Sequence, residues 1–298
     1  MHLLVERPGP RALLQDAGRP GLAHLGVSAG GAFDRAAWRL GNRLVGNRDG
    51  AAGIELLMGQ LALRAAGGDA LVALTGAEAP LSVAGRAVDV LSPVLLRDGE
   101  LLEVGLPVRG LRSYLAVRGG LEGERVFGSL SGDPTRGMGP APLHAGQRLA
   151  LGGAGGGTLR GTDLAVTMGV GSDRLVLGAV WGPRDDWFTP AARQLFTSAT
   201  WQVTSESDRV GARLSGPALE RSVDGELASE AVVRGSVQVP TSGVPLVFGP
   251  DHPTTGGYPV IAVVDPDDAD RLAQARPGSE VRFRPRRSRL LLRPAGQA

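Results

Sequence analysis

Gln15, Asp16 and Arg19 fall within five positions of "LLQDAGRPG", Leu13–Gly21. An amide both donates and accepts, a carboxylate only accepts, and a guanidinium matches a carboxylate through two parallel bonds. Together they suit an amide or an acid as ligand. The competing reading is a turn bonded to itself. A second group stands in "DHPTTGGYP", Asp251–Pro259. Thr254 and Thr255 offer hydroxyls there, and Gly256 and Gly257 let a ligand approach bare main chain. The competing reading is a barrel corner where two strands cross closely. A third is the polar loop Phe127–Gly139, with Ser129, Ser131, Asp133, Thr135 and Arg136. Long shaped loops commonly carry function.

Other patterns carry less. "GVSAG", Gly26–Gly30, fits G-x-S-x-G. A nucleophile elbow at Ser28 needs a parallel α/β sheet around it, so a turn leading into a helix is the better reading. His2, His24, His144 and His252 lack metal-ligand spacing, and no metal is expected. Glu55, inside "GIELLMG", sits either at a wet strand edge or buried with a partner. Asp208 and Arg209 are expected to pair with each other in a turn. All 32 basic residues are arginine. Without lysine there is no Walker A loop, no Schiff base and no self-carried biotin.

The elements that must position these groups are mostly strands. Short Val- and Leu-rich runs such as "HLLVE", "DALVALTG", "RSYLAVRGG", "PVIAVV" and "EVRFRP" are bounded by Gly, Pro or Asp. The 46 glycines and 21 prolines supply many turns, and no repeat period is present. This pattern predicts barrels or sandwiches. Three helices are expected: Phe33–Val45, one beginning at Thr189-Pro190 and one at Asp265-Pro266, the last two with Pro at the first helical position. A chain of 298 residues suggests two domains. The expected division is 1–155, 160–285 and an Arg-rich tail, 286–298, with the glycine-rich stretch Gly152–Gly161 at the boundary. That tail reads as a solvated end. With a net charge of +2, nucleic acid is not expected as a partner. No apolar run approaches 18 residues, and Arg7–Pro10 interrupts any leader-like core, so no membrane partner is expected. Absence of cysteine fits a reducing, cytoplasmic location.

In order along the chain, "LLQDAGRPG", "GVSAGGAFD", "NRLVGN", "GIELLMG", "ALTGA", "RSYLAVRGG", "SDRVGARLSG", "SEAVVRGSVQVPTSGVPLVFGPDHPTTGGYP" and "LAQARPGSEVRF" resemble the KipA-like proteins. These are the C-subunits of bacterial 5-oxoprolinase, formerly allophanate hydrolase subunit 2, within the biotin-dependent carboxyltransferase family. The resemblance spans about residues 4–284. It implies a mostly β chain of two cyclophilin-like β-barrel domains with a few short helices. It also implies a KipI-like B-subunit and a further A-subunit as partners, and opening of 5-oxoproline to glutamate at the expense of ATP. A related module in urea amidolyase transfers a carboxyl group from carboxybiotin to urea. A non-catalytic regulator of the KipI-like partner is a third reading. Departures stand at Leu130, Gly132 and Thr135, where the family commonly has Arg, Thr and Arg, at Gly30 for Ser, and at Pro253 for Gln.

For lactam opening, a protein must hold a carboxylate and stabilise charge on the amide oxygen. Arg19 is the carboxylate candidate, beside Gln15, Asp16, Ser131 and Asp133 as substrate-binding residues. Thr254, Thr255, Gly256, Gly257 and Tyr258 are candidates for the oxyanion or a phosphoryl oxygen. Asp251 and His252 are the catalytic candidates for moving a proton.

Overall fold

In the computed structural model, the described residues are 1–153, 173–225 and 227–286. They are mostly strand with three α-helices. "DLAVTMGV", whose Val- and Leu-containing run also suggests a strand, most of the glycine-rich stretch and the tail beyond Arg286 lie outside them. The chain divides into two compact units. Residues 1–21 and 29–153 form the first; residues 22–28 group with 173–225 and 227–286 in the second.

The first unit is built on two antiparallel sheets. One runs in the order Arg148–Ala150, His2–Arg7, Ala62–Ala66, Leu101–Val104, Leu81–Val83, Arg86–Ala87. The other runs Arg11–Gln15, Gly53–Leu57, Arg109–Val117, Ala70–Glu78, Val94–Leu96. Alternation turns Leu3, Val5, Leu63 and Leu102 of the first sheet and Ile54, Leu56, Val72, Leu74, Leu115 and Val117 of the second into one core. The second sheet is buried on its other face too. Helix α1 (Arg35–Leu44) covers Ala73 and Ala116 with Leu40 and Leu44. This two-sided burial explains why those strands are nearly continuous in apolar residues.

Helix α1 begins two residues later than the sequence suggests. The Phe33 amide is drawn away to the Glu55 carboxylate, and Asp34 caps the helix by accepting from the Ala37 amide at 2.9 Å. It ends at left-handed Gly46, as expected.

The second unit is a closed barrel: Arg174–Trp181, Val260–Val264, Ser236–Gln238, Leu246–Phe248, Gly211–Ser215, Trp201–Val203 and Glu280–Arg286. The last strand closes it by pairing parallel to the first. Helix α2 (Pro190–Ser198) starts at Thr189, whose hydroxyl accepts from the Ala192 amide. Aromatics are scarce, yet four gather here. Phe196 of α2 stacks on Phe283 at 4.5 Å and lies 5.8 Å from both Trp181 and Trp201. Helix α3 (Pro266–Leu272) starts at Asp265, but the Asp265 carboxylate pairs with Arg286 instead of capping.

A two-stranded ribbon, Glu230–Ala231 with Thr255–Gly256, is separate from the barrel ladder. Val232, Phe248 and Val260 form a small apolar cluster at its base. Arg184 grips Glu230 through two of its guanidinium nitrogens, Nε and Nη2. The hydrogen bond from Arg184 holds the Glu230 carboxyl below its ordinary value of 4.5. A depressed acid contributes stability above its unfolded pKa, and loses it as pH falls through the folded one. The ribbon is therefore expected to stay clamped at neutral pH and to loosen only in acid, below the ordinary carboxylate range. Hydrogen exchange corrected for intrinsic rates checks this. Protection of residues 230–232 and 254–256 should fall between pH 6 and pH 3, while that of 260–264 persists.

Candidate functional site

The first unit brings Gln15, Asp16, Arg19, Ser131 and Asp133 together. Gln15 ends the edge strand Arg11–Gln15, and Asp16 follows it. The loop beyond is zipped onto residues 29–32: the Arg19 amide donates to the Ala29 carbonyl, and the Ala32 amide to the Asp16 carbonyl. Gly18 makes this possible. Its φ is +83°, and a Cβ there would lie 2.3 Å from the Ala29 oxygen. Gly18→Ala is expected to cost about 2 kcal/mol or more, since both the backbone and its neighbour resist it. Chemical denaturation of the full chain measures this.

Asp16 is a hub. One carboxylate oxygen accepts from the Gly18 amide at 2.8 Å and from the Ser129 and Ser131 hydroxyls at 2.6 and 2.7 Å. The other accepts from the Leu130 amide at 2.7 Å and from Arg125 at 3.3 Å. The Asp16 amide in turn donates to the Ser131 oxygen. Asp133 is similarly committed. It accepts from the Arg136 amide and guanidinium, and its main chain pairs with Met138. The loop thus fastens itself and hangs from Asp16. Leu130 is wholly buried in the apolar core. A side chain at Gly132 would meet the Pro140 oxygen at 2.5 Å. The packing is built for leucine and glycine at these two positions, where the resemblance implied Arg and Thr.

Gln15 and Arg19 differ from their neighbours. The Gln15 amide nitrogen donates to the Gly132 carbonyl at 2.8 Å, but its oxygen, Oε1, has no partner. Arg19 donates from Nη2 to the Ser131 carbonyl at 2.5 Å and from Nε to the Val126 carbonyl at 3.3 Å. Its Nη1 has no partner. Exposure is 0% for Gln15 and 2% for Arg19. Orphaned polar atoms this deep are uncommon and call for an occupant. No carboxylate pairs with Arg19 among the described residues.

Below α1 lies a polar cluster whose structural importance the sequence did not reveal. Glu55 accepts at one oxygen from the Phe33 amide and the Tyr114 hydroxyl, both at 2.9 Å. Tyr114 accepts from the Asp34 amide at 2.7 Å. Arg112 sits 3.9 Å from the other Glu55 oxygen and over the Phe33 ring. Burial, then the charges of Glu55 and Asp34, push the Tyr114 hydroxyl well above its usual pKa. The cluster pins the start of α1 to the sheet. Glu55 is thus buried with partners, one of the two placements its flanking residues allowed. The β-strand pairing that sets Tyr114 beside it is not legible locally.

The second constellation lies in the second unit. Asp251 is gripped by Arg209 in two bonds of 2.7 and 3.0 Å, with both side chains buried. The expected partner of Arg209, Asp208, instead accepts from the Val210 and Gly211 amides of its own turn. The His252 ring nitrogen Nδ1 meets the Pro253 carbonyl at 2.6 Å, and the ring lies 6.0 Å from that of Phe248. Thr254 and Thr255 are more open, and their hydroxyls make no hydrogen bond among the described residues. Gly256 is explained by crowding. A Cβ there would lie 2.4 Å from the Gln238 amide nitrogen, which donates to the Tyr258 carbonyl. At Gly257 a Cβ would make only an ordinary contact, 3.5 Å from the Leu227 carbonyl oxygen. Tyr258 is half-exposed near Arg221.

Residues 25–285 match the carboxyltransferase domain, subdomain A and B, and the chain belongs to that family. The fold agrees: the structure of Kluyveromyces lactis urea carboxylase superposes with a TM-score of 0.90 over 95% of this chain and 27% of that one, at 24% identity. Among individual relatives, the chain is 36% identical to the 5-oxoprolinase C-subunit of Escherichia coli (strain K12), over 94% of this chain and 90% of that protein. It is 29% identical to urea amidolyase of Lachancea kluyveri, over 94% of this chain but 17% of that one. The relatives are thus subunits or segments of larger enzyme systems. No helix among the described residues is long and apolar enough to cross a membrane.

Proposed function

We propose that this chain is the C-subunit of a complex that opens 5-oxo-L-proline to L-glutamate at the expense of ATP. The observation carrying this reading is the end-to-end correspondence with the E. coli 5-oxoprolinase protein, which covers nearly all of both chains. The urea amidolyase relatives instead embed the same fold in a far longer polypeptide. Partners in this reading are a KipI-like B-subunit and an A-subunit, acting in the cytoplasm. The five-membered lactam is unstrained and resonance-stabilised, and phosphoryl transfer from ATP to its oxygen activates it toward water. This chain's part is to orient the amide and offset charge on its oxygen. ATP is placed at a partner or an interface.

The test is co-expression with the adjacent reading frames, followed by an assay for glutamate and ADP from 5-oxoproline and ATP. Oxoproline-dependent ADP release is expected only when all the partners are present. Full turnover by the isolated chain, or none by the assembled complex, refutes the reading. A second reading, carboxyl transfer from carboxybiotin to a urea- or amide-like substrate, is favoured by the family match itself. The biotin must be carried elsewhere, because the chain has no lysine. Loss of the reconstituted activity on adding avidin selects it.

A further inference from the structure

We propose that Gln15 Oε1 and Arg19 Nη1 form a subsite for the cis edge of an amide, H–N–C=O, with the N–H on Gln15 and the carbonyl on Arg19. This deepens the functional reading above and rests on it only for the choice of probe.

Three observations converge. First, the unfilled atoms are complementary to such an edge: one acceptor and one charged donor, each without a partner. The Gln15 amide orientation is fixed, because its nitrogen faces a carbonyl, which accepts only. Second, the two side chains engage adjacent residues of one loop: Gln15 donates to the Gly132 carbonyl and Arg19 to the Ser131 carbonyl. Third, Arg19 is a buried cation with no carboxylate at ion-pair distance. Such a charge is costly unless something anionic visits it. An amide oxygen gains negative charge as its carbon is attacked, and a fixed guanidinium favours that change.

The geometry also argues against a two-pronged grip on a carboxylate. That grip needs a free fork of N–H groups, and Nε and Nη2 of Arg19 are already on main-chain carbonyls. A five-membered lactam is locked cis, so its N–H and C=O lie side by side. Urea presents the same pair. One subsite thereby serves a lactam and a urea alike. Both side chains are buried and bond main-chain carbonyls of the loop 126–139. Left-handed glycines at 128, 137 and 139 lie along it.

The probes are 5-oxo-L-proline, its N-methyl derivative and urea. Binding is measured by calorimetry or ligand-observed NMR on the full chain and on the chain co-purified with its partners. The N-methyl compound keeps the ring, carboxylate and carbonyl but lacks the donor. It is expected to bind at least about tenfold more weakly, since a site built to hydrogen-bond a group rejects the analogue lacking it. In Gln15→Leu that preference should shrink below about twofold; Gln15→Met, which likewise lacks the amide acceptor, serves if the leucine variant fails to fold. Equal binding of the two oxoprolines to the native protein overturns the proposal. So does a preference that survives loss of Gln15, or no binding of oxoproline or urea to either preparation, which would leave a buried water as the occupant. If the complex turns over oxoproline without a Gln15-dependent preference, the subsite fails and the functional reading stands. If Gln15-dependent amide binding occurs without ATP-driven opening, the reverse holds.

Discussion

Asp16→Ala is expected to destabilise the first unit by about 4 kcal/mol, the range for removing one member of a buried, multiply bonded charge cluster. The cause is the donors left behind. The amides of Gly18 and Leu130 and the hydroxyls of Ser129 and Ser131 all converge on this one carboxylate. Each stranded buried donor costs about 1–3 kcal/mol, less what relaxation and water recover. Asp16→Asn keeps the shape but turns one acceptor into a donor facing donors, so about half that loss is expected. The melting temperature should fall by about 10 °C for alanine. Peptide-resolved hydrogen exchange distinguishes this from general fragility: residues 126–139 should lose protection first, and strand 260–264 of the barrel should not change. A loss below about 1 kcal/mol would show that the loop holds without its hub.

Asp251→Ala is expected to cost about 3–5 kcal/mol in the second unit, because it strands the Arg209 guanidinium inside the protein. The two residues are joined twice over: by their side chains, and by the Asp251 amide donating to the Arg209 carbonyl. Arg209→Ala should cost about as much. The double variant Arg209→Met with Asp251→Leu should lose much less than the sum, since no charge is left behind. Urea denaturation of the native protein, Arg209→Met, Asp251→Leu and the double variant closes the cycle. Strict additivity would mean that the pair is not coupled. Asp251 accordingly acts as an anchor for the segment that follows it. The hydroxyls of Thr254 and Thr255 are unbonded among the described residues, and their loss should leave stability within about 0.5 kcal/mol.

Much of the fold was legible in local sequence. Thr189-Pro190 and Asp265-Pro266 start helices, because a proline lacking its N–H costs nothing in the first turn. "PVIAVV" and "RSYLAVRGG" contain strands, because β-branched and apolar runs suit a buried sheet. Other stretches misled. The alternation of apolar residues in "AVDVLSPVLL", 87–96, suits a single strand, yet it holds only the end of the short strand Arg86–Ala87 and the separate strand Val94–Leu96, with Ser92-Pro93 between them. "SDRVG" suggested a local ion pair, but the short Asp208 side chain reaches its own turn amides sooner than a guanidinium.

Local sequence determined which chemistry the chain carries: an arginine-only, cysteine-free polypeptide of short strands, with amide, acid and guanidinium grouped at residues 15–19. The tertiary structure alone decided which of those groups are free. Asp16 is occupied by residues more than 110 positions away, and Asp251 by one 42 positions away. Hydrogen-bonding capacity is finite and is filled by whatever the fold brings near. Residue type fixes what an atom can do, whereas packing fixes whether it is still free to do it.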